Sequence, residues 1–504
     1  MSIRWGTPAA RGVLATTIVG SGMAMLDGTI VNVALPRIGK ELDASVAGLQ
    51  WILDGYLLSL ASLILIAGSL GDRYGRRRVY VLGVVWFGAA SLLCGVAPST
   101  ELLVVARILQ GVGGALLTPG SLAILQSSFD RQDRARAIGA WSGLGGIAAA
   151  VGPLVGGLLV QVWSWRLAFL INLPVAIVVV WMARKYVPES RDEQMTGHPG
   201  ILSSAVGAIG LAGVTAALVE APGRGAGDFI VLIAGILGIA GLTSFVVMQH
   251  KSREPLVPPE MFRDRTFTVA NALTFVVYTA LGGVFMLLVI QLQISLGYPP
   301  TAAGVAGLPI TLIMLLTSSY SGKLAQRIGP RLQLVVGPFV IAAGMLLMMR
   351  IEPGASYLTE VLPAVIVFGL GLTTVVAPVT ATVLAAAEDR HAGVASGVNN
   401  AIARTGGLLA VAVLPAVAGL NGAAYEDPAA LTSAWRMALL ICAVLAAVGG
   451  FLALGVRNDV LSAPAEAEPE SPAPGQCLHC GVEGPPTHVK PAHQPTGSPG
   501  TSPG

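Results

Sequence analysis

Three ionisable side chains stand where the chain is otherwise apolar: Asp27 in the run 13–33, Asp54 in 51–70 and Arg107 in 102–126. Two carboxylates and a guanidinium are a sufficient set for handling a proton. Desolvation raises a carboxylate's affinity for protons and a neighbouring Arg lowers it. Moving the Arg away in one conformation would load the acid, and returning it would unload it. If the runs are helices, the three groups lie about four to six residues from one common end of their spans, so at about 1.5 Å per residue they share a depth to within a few ångströms. The expectation is one proton-coupling cluster. Two readings compete with it: Asp27 and Arg107 as a fixed pair that only orients helices, and Asp54 as a charge near the mouth that attracts substrate.

The chain around these groups belongs in a bilayer. Hydrophobic residues make up 54% of it and charged residues 11%, less than half the roughly 25% charge of soluble proteins. A helix needs about 20 apolar residues to cross about 30 Å of hydrocarbon. Runs of that kind fall at 13–33, 51–70, 79–97, 102–126, 137–160, 167–183, 201–219, 229–248, 267–292, 303–320, 332–349, 361–386, 393–420 and 435–456, fourteen in all. Lys and Arg gather in alternate connecting segments, which places both termini in the cytoplasm. The first run is too long for a cleaved signal peptide and no small-residue cleavage site follows it.

The sequence repeats itself. "GSLGDRYGRR" at 68–77 returns as "GKLAQRIGPR" at 322–331, "VAGL" at 46–49 recurs at 305–308, and "RARAIG" at 134–139 resembles "RHAGVA" at 390–395. Matches at nearly one offset indicate two related halves. The division expected is a six-helix half over 1–190, a linker with two inserted spans over 191–260, a second six-helix half over 261–457 and a disordered tail over 458–504. The inserted pair reads as lipid-exposed and without a transport role. The tail carries Cys477, Cys480, His488 and His493, but their spacing and the lack of apolar neighbours argue against a zinc finger. Cys94 and Cys442 read as packing thiols.

"GSLGDRYGRRR" after the second span, "RILQGVGGALLTPG" in the fourth, "GPLVGG" in the fifth and "LDGTIVNVALP" closing the first resemble the signatures of the major facilitator superfamily. More narrowly, they resemble those of its fourteen-helix drug:proton antiporters of the EmrB/QacA type. The resemblance covers residues 10–457. It implies an all-α integral membrane protein with a major facilitator fold, two six-helix halves plus two inserted helices, 14 transmembrane helices in total. It also assigns Arg107 to proton coupling.

For the charged turn, the resemblance implies a latch between helices in one access state, built from Gly68, Asp72, Arg73, Gly75, Arg76 and Arg77. Asp72 then needs a partner, and the inner loop of the fifth span offers Arg134 and Arg136. The competing reading is that the arginines only meet lipid phosphates and hold the topology. In the fifth span, Gly145, Gly152, Pro153, Gly156 and Gly157 make a small-residue stripe that close packing alone would explain. In the resembled family "GPLVGG" marks exporters that exchange substrate for protons.

A substrate cavity is expected among Asn32, Gln110, Trp141, Tyr278, Asn400 and Arg404, with Asn271, Asn399 and Tyr320 as further candidates. Arg404 fits hydrophobic neutral, zwitterionic or acidic compounds better than dications. Trp163 and Trp165 read as membrane-interface anchors. There is no Walker P-loop, nucleophile elbow or metal cluster, so neither an enzyme nor a cofactor is implied. The function expected is a monomeric, proton-coupled antiporter in a bacterial inner membrane that exports hydrophobic small molecules such as drugs, antibiotics or secondary metabolites. Its partners are protons, substrate and the lipid bilayer, with no nucleic acid. An uptake symporter and a transport-dead sensor are the alternatives.

Overall fold

Backbone groups in hydrocarbon must satisfy one another within the segment, so apolar runs of this length become helices. The computed structural model describes residues 3–191, 200–252, 255–387, 392–420 and 427–461. Seven helices come first: α1 (Pro8–Leu42), α2 (Val46–Tyr74), α3 (Arg76–Gly95), α4 (Thr100–Ser128), α5 (Arg131–Val162), α6 (Arg166–Leu170) and α7 (Asn172–Tyr186). An inserted pair follows, α8 (Ile201–Arg224) and α9 (Phe229–Lys251). The rest are α10 (Arg265–Ile294), α11 (Pro300–Ala306), α12 (Leu308–Ile328), α13 (Arg331–Met348), α14 (Leu362–Ala385), α15 (Ala392–Val417) and α16 (Pro428–Leu452).

Among the described residues 13 spans are long and apolar enough to cross a membrane, and α5, with 32 residues, supplies the remaining one. Two spans that the sequence presents as single runs are broken. Pro174 can donate no amide hydrogen to the turn before it, and the span divides into α6 and α7. Pro309 stands in the first turn of α12, where a missing donor is tolerated, and separates it from α11.

Helices α1–α7 pack largely on one another, as do α10–α16, and the two sets meet along two seams. At one seam α2 lies on α15, and at the other α5 lies on α11 and α12. The second span of each set thus meets the fifth of the other, the arrangement that a two-fold relation between repeats produces.

The repeated sequence has a repeated shape. Gly75 has φ +109 and Gly329 has φ +83, values that favour glycine. Each turn is closed by the last residues of its own helix set. Arg76 N donates to Ser190 O at 2.8 Å and Arg77 N to Glu189 Oε1 at 3.1 Å. In the second set Arg331 N donates to Asn458 Oδ1 at 3.3 Å, and Asn458 Nδ2 to Ile328 O at 3.0 Å.

Hydrogen bonds between the sets gather at the end of the bundle where α1 turns into α2. Gln50 Nε2 donates to Val411 O at 2.7 Å, Gln293 Nε2 to Val33 O at 3.0 Å and Thr301 N to Gln161 Oε1 at 3.4 Å. Near that end α5 and α11 touch backbone to backbone, since a Cβ on Gly157 would lie 2.6 Å from Thr301 Cα.

One expectation is met and one needs correction. The inserted pair is largely exposed. Within it α9 packs on α8, and α8 rests on both α2 and α15 and so covers a seam. Leu211 of α8 clusters with Leu58, Ala61 and Leu408, and Trp51 Nε1 donates to Glu220 Oε1 at 3.0 Å. Trp165 is not an interface anchor. It is fully buried and donates from Nε1 to Glu41 Oε2 at 2.8 Å, whereas Trp163 is exposed.

Gly157→Leu should force α5 and α11 apart. In a chain stripped of its native cysteines, maleimide labelling of a cysteine placed at Gln161 is expected to rise several-fold over the same probe beside Gly157, and unchanged labelling would refute the close contact.

Candidate functional site

The functional residues are set by helix registers. On α4, Arg107 and Gln110 are three apart and so share a face. That face meets Asp27 of α1, Ser91 of α3 and Asn172 of α7. Arg107 Nη1 donates to Asp27 Oδ2 and to Gln110 Oε1, both at 2.6 Å, and Arg107 Nε donates to the Ile52 carbonyl of α2 at 3.0 Å. Gln110 Nε2 donates to Asp27 Oδ1 and to Ser91 Oγ, both at 2.8 Å, and Asn172 Nδ2 reaches Asp27 Oδ1 at 3.1 Å. The guanidinium also lies 4.3 Å from the Tyr56 ring centre and 5.8 Å from that of Phe169. The Arg107 and Asp27 side chains are 1% and 0% exposed. A charge pair so completely withdrawn from water persists only because its remaining donors and acceptors are met.

Asp54 does not join this cluster, which corrects the expected triad. It is fully buried, and neither carboxyl oxygen has a hydrogen-bond partner among the described residues. Its position explains the separation. Gln50, one turn earlier on α2, bonds to Val411, and Leu58, one turn later, packs with Leu408. Asp54 therefore lies on the α2 face that meets α15, at the seam, while the α2 residues that touch Arg107 are Ile52 and Tyr56.

The expected cavity residues divide. Gln110 is fully buried in the Asp27 network and lines no cavity. Asn271 and Asn399 are also withdrawn, with Asn399 Nδ2 donating to Asn271 Oδ1 at 3.2 Å and to Thr274 Oγ1 at 2.9 Å. Trp141 is half-buried and donates to Ser21 Oγ at 3.1 Å, and Asn32 is half-buried with its amide on Gly28 O at 3.3 Å. Tyr278 of α10 and Asn400 and Arg404 of α15 are half-buried.

In the charged turn, Asp72 pairs with Arg76 of its own segment, Nη2 to Oδ1 at 2.7 Å, rather than with Arg134 or Arg136. The two residues stand four apart on adjoining helices, and the sharp turn at Gly75 keeps them within reach. Arg134 Nε is taken by Phe129 O at 3.0 Å and Arg136 lies over the Trp5 ring at 4.6 Å. Arg77 and Arg78 face Glu189 at 3.5 and 3.7 Å, Arg73 lies over the Tyr74 ring at 5.7 Å, and Gly68 faces Pro119 of α4. In α5, Gly152 and Gly156 allow close approach to Thr29 and Ile30 of α1, Pro153 meets Gly304 of α11, and Gly145 lies within the helix. Cys477, Cys480, His488 and His493 lie outside the described residues. Cys94 and Cys442 are free and buried.

Sequence reasoning missed Asn172 and Ser91. A lone amide in the apolar run "INLPVAIVVV" was the available signal for Asn172, and the three-residue spacing of Arg107 and Gln110 was the signal that both serve one carboxylate.

Two helical sets around buried polar groups, all in membrane-spanning helices, define a multi-pass membrane transporter and not an enzyme. The chain belongs to the Major Facilitator Superfamily, whose profile matches residues 17–411. It is 35% identical over 416 residues to the puromycin resistance protein pur8 of Streptomyces alboniger, covering 82% of each chain. It is also 35% identical over 405 residues to the tetracenomycin C resistance and export protein of Streptomyces glaucescens, covering 80% of this chain and 74% of that one. The crystal structure of a bacterial homologue of the human lysosomal transporter Spinster superposes with a TM-score of 0.63 at 16% identity, over 89% of this chain and 97% of that chain, and shares the fold.

Breaking one partner of a buried pair costs about 3–5 kcal/mol because the other is left uncompensated. Arg107→Gln and Asp27→Asn are each expected to lower thermal stability strongly, and the double variant much less than their sum. Simple additivity in a double-mutant cycle would show that the two do not act as a pair.

Proposed function

We propose that this chain is a proton-coupled antiporter that exports hydrophobic small molecules from a bacterial cell by alternating access. The observation that carries the reading is the Asp54 carboxyl, buried at a seam between the helix sets with no hydrogen-bond partner among the described residues, while Asp27 and Arg107 are paired with each other. An unpaired carboxylate charge in such surroundings costs far more than a neutral carboxyl. Asp54 therefore holds the exchanged proton while the seam is shut. Parting α2 from α15 brings water to it and lets the proton leave.

Asp27 and Arg107 couple this event to the first helix set. Arg107 bonds to the Ile52 carbonyl, half a turn from Asp54 on α2, so a shift of α2 strains the Arg107 network directly. The charged turn serves as the latch at the far end, with Asp72 and Arg76 closing it within the first set in this state. With the termini in the cytoplasm, as the alternation of Lys and Arg supports, the bonded end of the bundle faces outward. The state described is then closed to the outside. Export is supported by relatives named for resistance to, or export of, puromycin and tetracenomycin C.

Inverted vesicles loaded with a pH-sensitive dye test this. Addition of tetracenomycin C, which one relative is named for exporting, is expected to release protons from the acidified lumen. Asp54→Asn should abolish that release while the protein still binds the compound. Proton movement in the opposite sense would identify a symporter, and full exchange in the Asp54→Asn chain would remove Asp54 from the mechanism.

A further inference from the structure

Arg107, near one end of α4, and Arg404, midway along α15, both lie within spans, and the protein treats them oppositely. Arg107 is met by a carboxylate, an amide oxygen and a backbone carbonyl. Arg404, half-buried on α15, makes no hydrogen bond or ion pair with any described residue. Its position is fixed by the α2–α15 seam. Gln50 bonds to Val411 towards one end, and Leu65 approaches Gly397 towards the other, so Arg404 falls between them.

No acid in the second set can answer it, because α10–α16 contain no Asp or Glu. In the first set Asp27 is already taken by Arg107, and Asp54 has no hydrogen-bond partner among the described residues, Arg404 included. A cation held at membrane depth without an anion is costly, and such groups persist where they face a path or a ligand. The guanidinium is the side chain best shaped for a carboxylate, which it grips with two parallel hydrogen bonds. The amide of Asn400 lies one turn away on the same helix.

We infer that Arg404 is the anion-recognition residue of the transport site, selecting apolar ring compounds that carry one acidic oxygen group, a carboxylate or an ionised phenol or enol. This rests on the reading of the protein as an exporter of hydrophobic small molecules. The skeleton of the compound lies against the apolar surroundings. A cationic amine of the same size meets like charge and is rejected.

A matched series isolates the charge: 1-pyrenebutyrate, 1-pyrenebutanol and 1-pyrenebutylamine. Equilibrium binding to the full chain in lipid nanodiscs, with protein-free nanodiscs subtracted, is expected to show the carboxylate held at least about tenfold tighter than the alcohol, as one charge-assisted contact allows. The amine should bind most weakly. Arg404→Gln should erase the preference for the carboxylate over the alcohol, with folding of the variant read separately from its thermal unfolding in the same nanodiscs. Arg404→Lys should retain part of it. Equal binding of the three compounds by the natural chain, or a preference that survives Arg404→Gln, would overturn the assignment. Binding is read without proton exchange, so failure of the antiport reading appears separately in the vesicle assay.

Discussion

A guanidinium can be held inside a membrane protein only if its donors are met, and meeting those of Arg107 organises the first helix set. The bonds made by Arg107, Asp27 and Gln110 draw in α1, α2, α3, α4 and α7. Each bond is short range and directional, so these helices cannot slide past one another without leaving a charge or an amide bare. The set is thereby made to move as one body. The second set is held differently, by a broad apolar core and the neutral Asn271–Asn399–Thr274 contacts. A charge pair clamps one set; dispersion and neutral hydrogen bonds hold the other, and Arg404 is left over.

The seams are joined lightly. Their hydrogen bonds are neutral amide contacts, each worth only about 0.5–1.5 kcal/mol net. The backbone contact at Gly157 adds packing without interlocking side chains. The charged turns lie away from the seams, each fastened to the end of its own helix set by Glu189 or Asn458. The repeat visible in sequence is thus a repeated local device, a glycine turn capped by the segment that follows the last span of the set.

Much of this could be read in the chain itself, for stated reasons. Spans were legible because a bilayer demands about 20 apolar residues from each, and the relation of the halves because "GSLGDRYGRR" kept two of its three glycines and two of its three arginines in the second copy. The Asp27–Arg107 pair was legible because both groups share a depth. Asp54 shares that depth too, and only the rotation of α2 about its axis separates it from them, a quantity that a uniformly apolar helix does not display. The partner of Asp72 was misjudged for the opposite reason. A distant arginine was sought although Arg76 stood four residues away. Gln110, Asn271 and Asn399 were assigned to a cavity because amides in apolar helices point to polar surroundings, and they do have them, but the surroundings are one another and the Asp27 network.

The inserted pair gains meaning from Asp54. A lone carboxyl at a seam is exposed to lipid as soon as the seam loosens, and hydrocarbon offers it nothing. Helix α8 crosses that seam on the outside, with Leu211 against Leu58 and Leu408 and Glu220 bonded to Trp51. Contacts to Leu58 and Trp51 bracket Asp54 along α2, so α8 shields the acid from the membrane at its own depth. Because α8 rests on both helices of the seam, its Leu211 fills the space beside the small Ala61 that would otherwise be open to hydrocarbon.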